Sequence, residues 1–339
     1  MIFITHSTLQ DLSFSIIIPV YNRPQEIEGL LKSLVSQDFK NSFEVVIIED
    51  GSSIKAETVV KKYHKNLNIN YLFKENSGPG LSRNFGMKKA QGNYFIILDS
   101  DVIVPKHYLS VVAKTLKTNF TDAFGGPDAA HPSFSVIQKA INYSMTSVLT
   151  TGGLRGHKNN THFQPRSFNM GLSKKAFEAI GGFTKQRIGE DIDLTFRLWQ
   201  SGFKTQFVAK AFVYHKRRAN FEQFFNQTYS FGKARPILNK QHKNTAKLTY
   251  WFPSIFVIGF VLSIIIFPFF QILTALYLLY FLLIFMHSLT INKNILVAFL
   301  SIYTTLIQMF GYGLGFLQSQ FNLHILGKSP QETFPKMFV

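Results

Sequence analysis

Between Trp251 and Ile291 the chain runs for 41 residues without one Asp, Glu, Lys or Arg, and between Asn294 and Gly327 for another 34. Only Asn292 and Lys293 separate the two runs. A core helix of a water-soluble domain rarely stays uncharged so long, whereas a bilayer crossing takes about 20 apolar residues. The lengths predict crossings near Trp251–Phe267 and Gln271–Leu289, with a turn at Pro268, and a third near Ile295–Leu317. The third contains Gln308, Gly311, Gly313 and Gly315, which suits close helix packing or an interfacial position. Lys233, Arg235, Lys240, Lys243 and Lys247 precede the first crossing, and the positive-inside rule holds that side in the cytoplasm. Three crossings put Lys328 and Lys336 outside, against the same rule. Two crossings with a re-entrant or interfacial third segment therefore stay open.

Charge gathers before residue 250. Of a net charge of +17, +15 lies in the first 249 residues. Such a surplus suits an anionic partner: nucleic acid, a phosphorylated small molecule or an anionic membrane surface. The basic residues are scattered and no nucleic-acid motif appears, so no nucleic-acid partner is expected. A basic nucleic-acid-binding membrane protein is the alternative from another class. The predicted crossings carry no Asp, Glu, Lys or Arg to line an ion path, His287 being their one histidine, which argues against a transporter. With no cysteine, a disulfide scaffold, a thiolate metal site and a cysteine nucleophile are all excluded. At 46% hydrophobic and 16% charged residues, the chain is not a disordered one. Met1–Leu12 lacks the basic and apolar regions of a signal peptide. The expected organisation is a cytoplasmic catalytic domain at 1–249, transmembrane helices at 250–327 and a short tail at 328–339. It is that of an integral protein of the cell (inner) membrane, with the lipid bilayer as a partner.

The first half alternates short apolar runs with helical spacing. Phe14–Val20, Phe43–Ile48, Ile69–Phe73 and Tyr94–Leu98 read as strands. Gln25–Gln37, Lys55–Tyr63, Pro79–Ala90 and Pro105–Leu116 read as helices. Phe207–Tyr214 reads as a further strand, Ile192–Trp199 as an amphipathic helix, Ile137 to Val148 as another, and Thr150–Pro165 as a loop. Continuous apolar strands alternating with amphipathic helices predict an α/β fold: a doubly wound, mostly parallel sheet with helices on both faces. Ligands of such sheets bind beyond the carboxyl ends of the strands. Polar residues gather there: Tyr21-Asn22, Glu49-Asp50-Gly51-Ser52 and Asp99-Ser100-Asp101.

Asp99 and Asp101, one residue apart at a strand end, offer oxygen ligands to a hard divalent cation while leaving positions for phosphate. Asp50 ends a strand of the same sheet. Three carboxylates converging with no nearby cation in sequence call for a metal to offset them. Gly78-Pro79-Gly80-Leu81-Ser82-Arg83-Asn84 opens a helix whose free N–H groups and Arg83 suit an anion. Glu190, Asp191 and Asp193 open another helix, where acids also serve simply as favourable N-terminal charge.

The succession SIIIPVYNRP, VVIIEDGS, GPGLSRNFGMKKAQGNYFIILDSDV, FNMGLSKKAFEAIGGF and GEDIDLTFRL resembles glycosyltransferase family 2 with a GT-A fold, over about Ser13 to Arg235. The resemblance implies inverting sugar transfer from a nucleotide-diphosphate-sugar, with Mg2+ or Mn2+. It implies that Pro19, Tyr21 and Asn22 line the nucleoside pocket, that Asp50 bonds the base, and that Arg83 and Asn84 lie near base and diphosphate. Asp99, Ser100 and Asp101 form the family's DxD, Asp99 and Asp101 meeting the metal with His215. Glu190-Asp191 matches the ED motif, Glu190 meeting the nucleotide-sugar and Asp191 acting as the general base. Inversion needs a carboxylate to take the acceptor's proton as the new bond forms, while positive charge meets the leaving diphosphate. Processive relatives carry Gln-x-x-Arg-Trp after this helix; here Gln227-Thr228-Tyr229-Ser230-Phe231 has Ser for Arg and Phe for Trp. A single-transfer enzyme is expected instead, with Lys233 and Arg235 supplying charge toward the nucleotide-sugar. Its acceptor is expected to be a lipid-linked or membrane-proximal glycan, with polyprenyl phosphate itself as the alternative.

Overall fold

The computed structural model describes residues 12–152 and 163–338. The readings of Met1–Leu12 as lacking a leader and of Thr150–Pro165 as a loop fall largely on 1–11 and 153–162, outside the described residues. The chain divides into two compact units. The first is Met1–Asp128, Lys158–Lys185 and Leu194–Tyr214; the second is Ala129–His157, Gln186–Asp193 and His215–Val339.

The first unit opens with the expected alternation. Strands β1 (Phe14–Val20), β2 (Glu44–Asp50), β3 (Asn68–Lys74) and β4 (Tyr94–Leu98) enclose helices α1 (Pro24–Val35), α2 (Glu57–Lys61) and α3 (Pro79–Lys89). All pair in parallel, in the order β3-β2-β1-β4, with Ile17 opposite both Val46 and Ile97. The strands need no polar face because both faces are covered. Ile16, Ile18, Val45 and Ile47 enter one apolar cluster, and the alternate residues Ile17, Val46 and Ile48 enter the other. β5 (Val102–Ile103), α4 (Tyr108–Thr118), β6 (Ala123–Gly125) and β7 (Asp128–Ala129) follow, and then the helices α5 (Val136–Thr146) and α6 (Val148–Thr151). Next come β8 (Asn169–Ser173), α7 (Lys174–Ile180), α8 (Glu190–Gln200), β9 (Thr205–Phe207) and β10 (Val213–His215).

The large sheet finishes as β4-β8-β6-β9, with β8 antiparallel to both neighbours. β5, β10 and β7 form a small separate sheet. The single strand expected over Phe207–Tyr214 is two strands in different sheets. The run turns at Val208–Ala211, where the Ala211 amide donates to the Val208 carbonyl at 3.0 Å. An apolar run with a lysine in it conceals such a turn because its hydrophobicity does not change.

The second unit is helical. α5 follows a capping box in which the Ser135 hydroxyl accepts from the Gln138 amide and the Gln138 side chain accepts from the Ser135 amide. Helix α9 (Phe221–Gln241) precedes three apolar helices, α10 (Phe252–Ile265), α11 (Gln271–Asn292) and α12 (Ile295–Gln320), and a short α13 (Pro330–Thr333). Each of the three apolar segments is long and apolar enough to cross a membrane.

α12 buries its small and hydroxyl residues, among them Ser301, Thr304, Gly311, Gly313 and Gly315. The glycines let two backbones touch. A Cβ on Gly315 meets the Tyr229 carbonyl oxygen of α9 at 2.2 Å, and one on Gly232 of α9 meets the Tyr312 carbonyl oxygen at 2.1 Å. Small residues at such a contact let two helix backbones approach closely. Gly315→Val must part the helices, and overpacking of this kind costs about 1–3 kcal/mol. The variant is expected to melt earlier in detergent than the parent, and an unchanged melting temperature contradicts the packing.

Candidate active site

In the first unit the carboxyl ends of β1, β2 and β4 carry the expected polar residues. Asp50 ends β2, buried, with its Oδ1 accepting from Lys74 Nζ at 2.8 Å and from the Ser77 amide at 2.9 Å. Its neighbour Glu49 does different work. It is fully buried and accepts from the Ala56 amide and the Tyr71 hydroxyl, both at 2.7 Å, and from the Ser52 hydroxyl. Burial, reinforced by the bond to Glu49, pushes the Tyr71 hydroxyl well above its ordinary pKa. Glu49 thus ties the loop after β2 to the sheet, while Asp50 stands at the strand end.

Tyr21 is exposed beside Asn22, which adopts a left-handed backbone at φ 54°. The Asn22 side chain accepts from the Ile54 amide at 2.9 Å and the Ser53 hydroxyl at 3.0 Å, joining the loops after β1 and β2. Pro19 lies in β1 opposite Ile48. At the start of α3, Arg83 is buried and its Nη2 donates to Asp99 Oδ1 at 2.7 Å, with the guanidinium over the Phe183 ring at 5.3 Å. Asn84 is engaged twice by one backbone: its amide nitrogen donates to the Phe183 carbonyl, and its oxygen accepts from the Phe183 amide, both at 2.8 Å. It holds the loop after α7 against α3. Ser100 is buried between the two aspartates.

Asp99 and Asp101 follow β4. β10 belongs to the small sheet beside β5, so His215 extends a strand of that sheet. One ligand atom from each of Asp99, Asp101 and His215 lies within 4.8 Å of the other two. Two carboxylate oxygens and an imidazole nitrogen suit Mg2+ or Mn2+, and the spacing lets all three reach one ion.

The expectation of uncompensated carboxylates does not hold. Each acid has a cation from a distant part of the sequence: Lys74 for Asp50, Arg83 for Asp99, and Arg23 for Asp101 at 3.0 Å. Burial works against the Arg23 guanidinium, but the charges of Asp101 and Glu26 outweigh it and hold it above its ordinary value. Arg23 stood in plain view after Tyr21-Asn22. What hid its role was that sequence order says nothing about which strand ends are neighbours.

The ED residues belong to the second unit's segment Gln186–Asp193. Glu190 is buried, and Asp191 accepts the Ile192 amide through Oδ1 at 2.8 Å at the start of α8. Asp193 is buried and bonded at 2.8 Å to His242 Nε2, itself buried at the end of α9. Sequence reasoning missed this pair, whose members stand 49 residues apart. Lys233 and Arg235, expected to serve the donor, are packed on rings of the second unit. Lys233 Nζ lies over Tyr229 at 4.7 Å and Phe334 at 5.4 Å, and Arg235 over Tyr250 at 4.3 Å. Burial lowers the Lys233 pKa.

Residues 15–181 match the family model described as Glycosyl transferase family 2. They are a glycosyl transferase family 2 domain. The family 2 domain is 37% identical over 114 residues to poly(ribitol-phosphate) beta-N-acetylglucosaminyltransferase TarS of Staphylococcus aureus strain Mu50, over 33% of this chain and 20% of that protein. Chondroitin synthase of Escherichia coli is 26% identical over 235 residues, covering 60% of this chain and 34% of that protein. These alignments span about a fifth to a third of the relatives' length. Among solved structures, the mannosyltransferase PcManGT of Pyrobaculum calidifontis, in complex with GDP-Man and Mn2+, superposes with a TM-score of 0.58 at 16% identity, over 90% of this chain and 86% of that one. Residues 1–349 of S. aureus TarS superpose at 0.51 and 19% identity, over 94% and 93%. The fold is of the GT-A type.

Proposed function

We propose that the protein is an inverting, non-processive glycosyltransferase. It moves one sugar from a nucleotide-diphosphate-sugar, UDP-linked, to a lipid-linked or membrane-proximal glycan at the cytoplasmic face of the cell membrane. The observation that carries the reading is that Asp99 and Asp101, within the family 2 match and each paired with an arginine, lie within reach of His215 for one ion. Asp50 and exposed Tyr21 serve the nucleoside: a buried carboxylate accepts hydrogen bonds from a base edge, and an aromatic ring offers a face to stack on. Pro19 shapes the same wall, and Asn22 and Asn84 hold the loops that border it. Arg83 and Arg23 donate toward the diphosphate, and Ser100 turns the chain between the two ligands. Mg2+ or Mn2+ held by Asp99, Asp101 and His215 would supply positive charge against the leaving diphosphate.

Asp191 acts as the general base, taking the proton of the acceptor hydroxyl as that oxygen attacks the anomeric carbon. The Asp193–His242 pair fixes the first turn of α8, which carries Asp191, and Glu190 beside it serves the nucleotide-sugar. Lys233 and Arg235 add basic charge on the second unit. The acceptor assignment is motivated by the apolar helices, which hold the enzyme where lipid-linked glycans are found.

A thermal-shift panel of UDP-, GDP- and TDP-sugars with Mg2+ or Mn2+ tests the donor. Binding to the native state alone raises stability by about 2.7 kcal/mol at a hundred times Kd. UDP-sugars with metal are expected to give the largest rise. A GDP- or TDP-sugar giving the largest rise contradicts the UDP assignment, and no rise with any nucleotide contradicts the function.

A further inference from the structure

We infer that the chain crosses the bilayer an even number of times between His242 and Met337. α10 and α11 are the paired crossings, and α12 lies along the membrane surface on the face that carries Asp191. Two anchors, both inside the second unit, impose the parity. At the start, His242 caps α9 and bonds buried Asp193 at 2.8 Å, two residues beyond Asp191. At the end, the segment after α12 returns to the loop before α8. The Arg187 amide donates to the Met337 carbonyl at 2.8 Å, and Gln186 and Phe338 form an antiparallel bridge. Phe334 and Met337 are buried with Ala234, Ile237 and Leu323. Both contacts lie within a few residues of Asp191. A chain that begins and ends on one face of a hydrocarbon layer about 30 Å thick crosses it an even number of times.

The course of α12 agrees independently. It runs beside α9 in the same direction for nearly its whole length. Phe221 meets Tyr303 with ring centroids 4.9 Å apart, the Tyr229 hydroxyl donates to Gln318 Oε1 at 2.7 Å, and Lys240 Nζ reaches the Leu323 carbonyl at 3.5 Å. α9 carries Glu222, Lys233, Arg235 and Lys240, which makes it a poor occupant of hydrocarbon. α12 also bonds α5 and α6, through Thr304 to the Ala140 carbonyl and Gln308 to the Thr150 carbonyl. A helix packed along its length on charged α9, and bonded as well to α5 and α6, is not a crossing. The α10–α11 hairpin makes the opposite case: Ile264, Ile265, Phe269, Leu278, Leu279 and Leu282 are all exposed, Phe269 at 90%. Its tip, Phe267–Phe270, is the part that reaches the far face.

The inference rests on the apolar helices meeting a bilayer and not on the chemistry of the site. The chain has no cysteine, so each introduced one is a unique reporter. Lys185→Cys reports the loop before α8, and Gln331→Cys and Lys336→Cys report the returning segment; all three side chains are exposed. A membrane-impermeant maleimide is applied to sealed membranes of both orientations, with detergent-opened membranes giving full reactivity. The three cysteines are expected to label from the same face. Lys185→Cys and either segment reporter labelling from opposite faces overturns the even count, and release of the protein from membranes by alkaline carbonate overturns the crossings altogether.

Discussion

Asp191→Asn is expected to lower turnover about 10²- to 10⁴-fold, the usual contribution of a positioned general base, while the donor still binds. The substitution keeps size and shape and removes the charge that accepts the proton. Folding is expected to survive it, because the carboxamide oxygen still accepts the Ile192 amide. The two readouts separate cleanly. Lost turnover with an unchanged nucleotide-induced thermal shift assigns the defect to the proton, whereas loss of both assigns it to the structure. A fully active Asp191→Asn enzyme contradicts the base assignment.

Asp101→Ala is expected to abolish metal-supported transfer, with about 3–4 kcal/mol of transition-state stabilisation removed when charge opposite a leaving group is lost. Asp101 is the better aspartate to remove. Its partner Arg23 is 40% exposed and can turn to water, whereas Arg83, paired with Asp99, is 3% exposed and loses that carboxylate in Asp99→Ala. Removing the carboxylate beside a buried guanidinium is costly and confuses a loss of chemistry with a loss of fold. The melting temperature of Asp101→Ala without ligands is therefore expected to stay near the parent's, while the additional shift that Mn2+ gives in the presence of nucleotide disappears. Activity unchanged by the substitution, or parent activity that persists in chelator, contradicts the metal site.

The parallel half of the sheet was legible because its physics is local. Runs such as SIIIPV and YFIIL are apolar on both faces, and only a sheet covered twice accommodates that. The strand ends were legible for the same reason, since polar residues begin where apolar ones stop. Two things were not. The break of Phe207–Tyr214 into β9 and β10 leaves no mark in hydrophobicity. The pairs Arg23–Asp101, Lys74–Asp50 and Asp193–His242 join residues 78, 24 and 49 positions apart, and only the folded chain brings them together. Likewise, Gly311 and Gly315 announced close packing without naming a partner. That partner is α9, whose own Gly232 is unremarkable in sequence.

The claim on which the rest depends is that Asp101 and Asp191 serve one sugar diphosphate from two sides. A structure of the protein with UDP-sugar and Mn2+, in detergent or nanodisc, tests it most directly. The expected result is metal density bridging Asp99, Asp101 and His215 to the diphosphate, with the Asp191 carboxylate facing the anomeric carbon from the side opposite the leaving oxygen. A bound donor with Asp191 remote from the sugar, or with the metal held elsewhere, contradicts it.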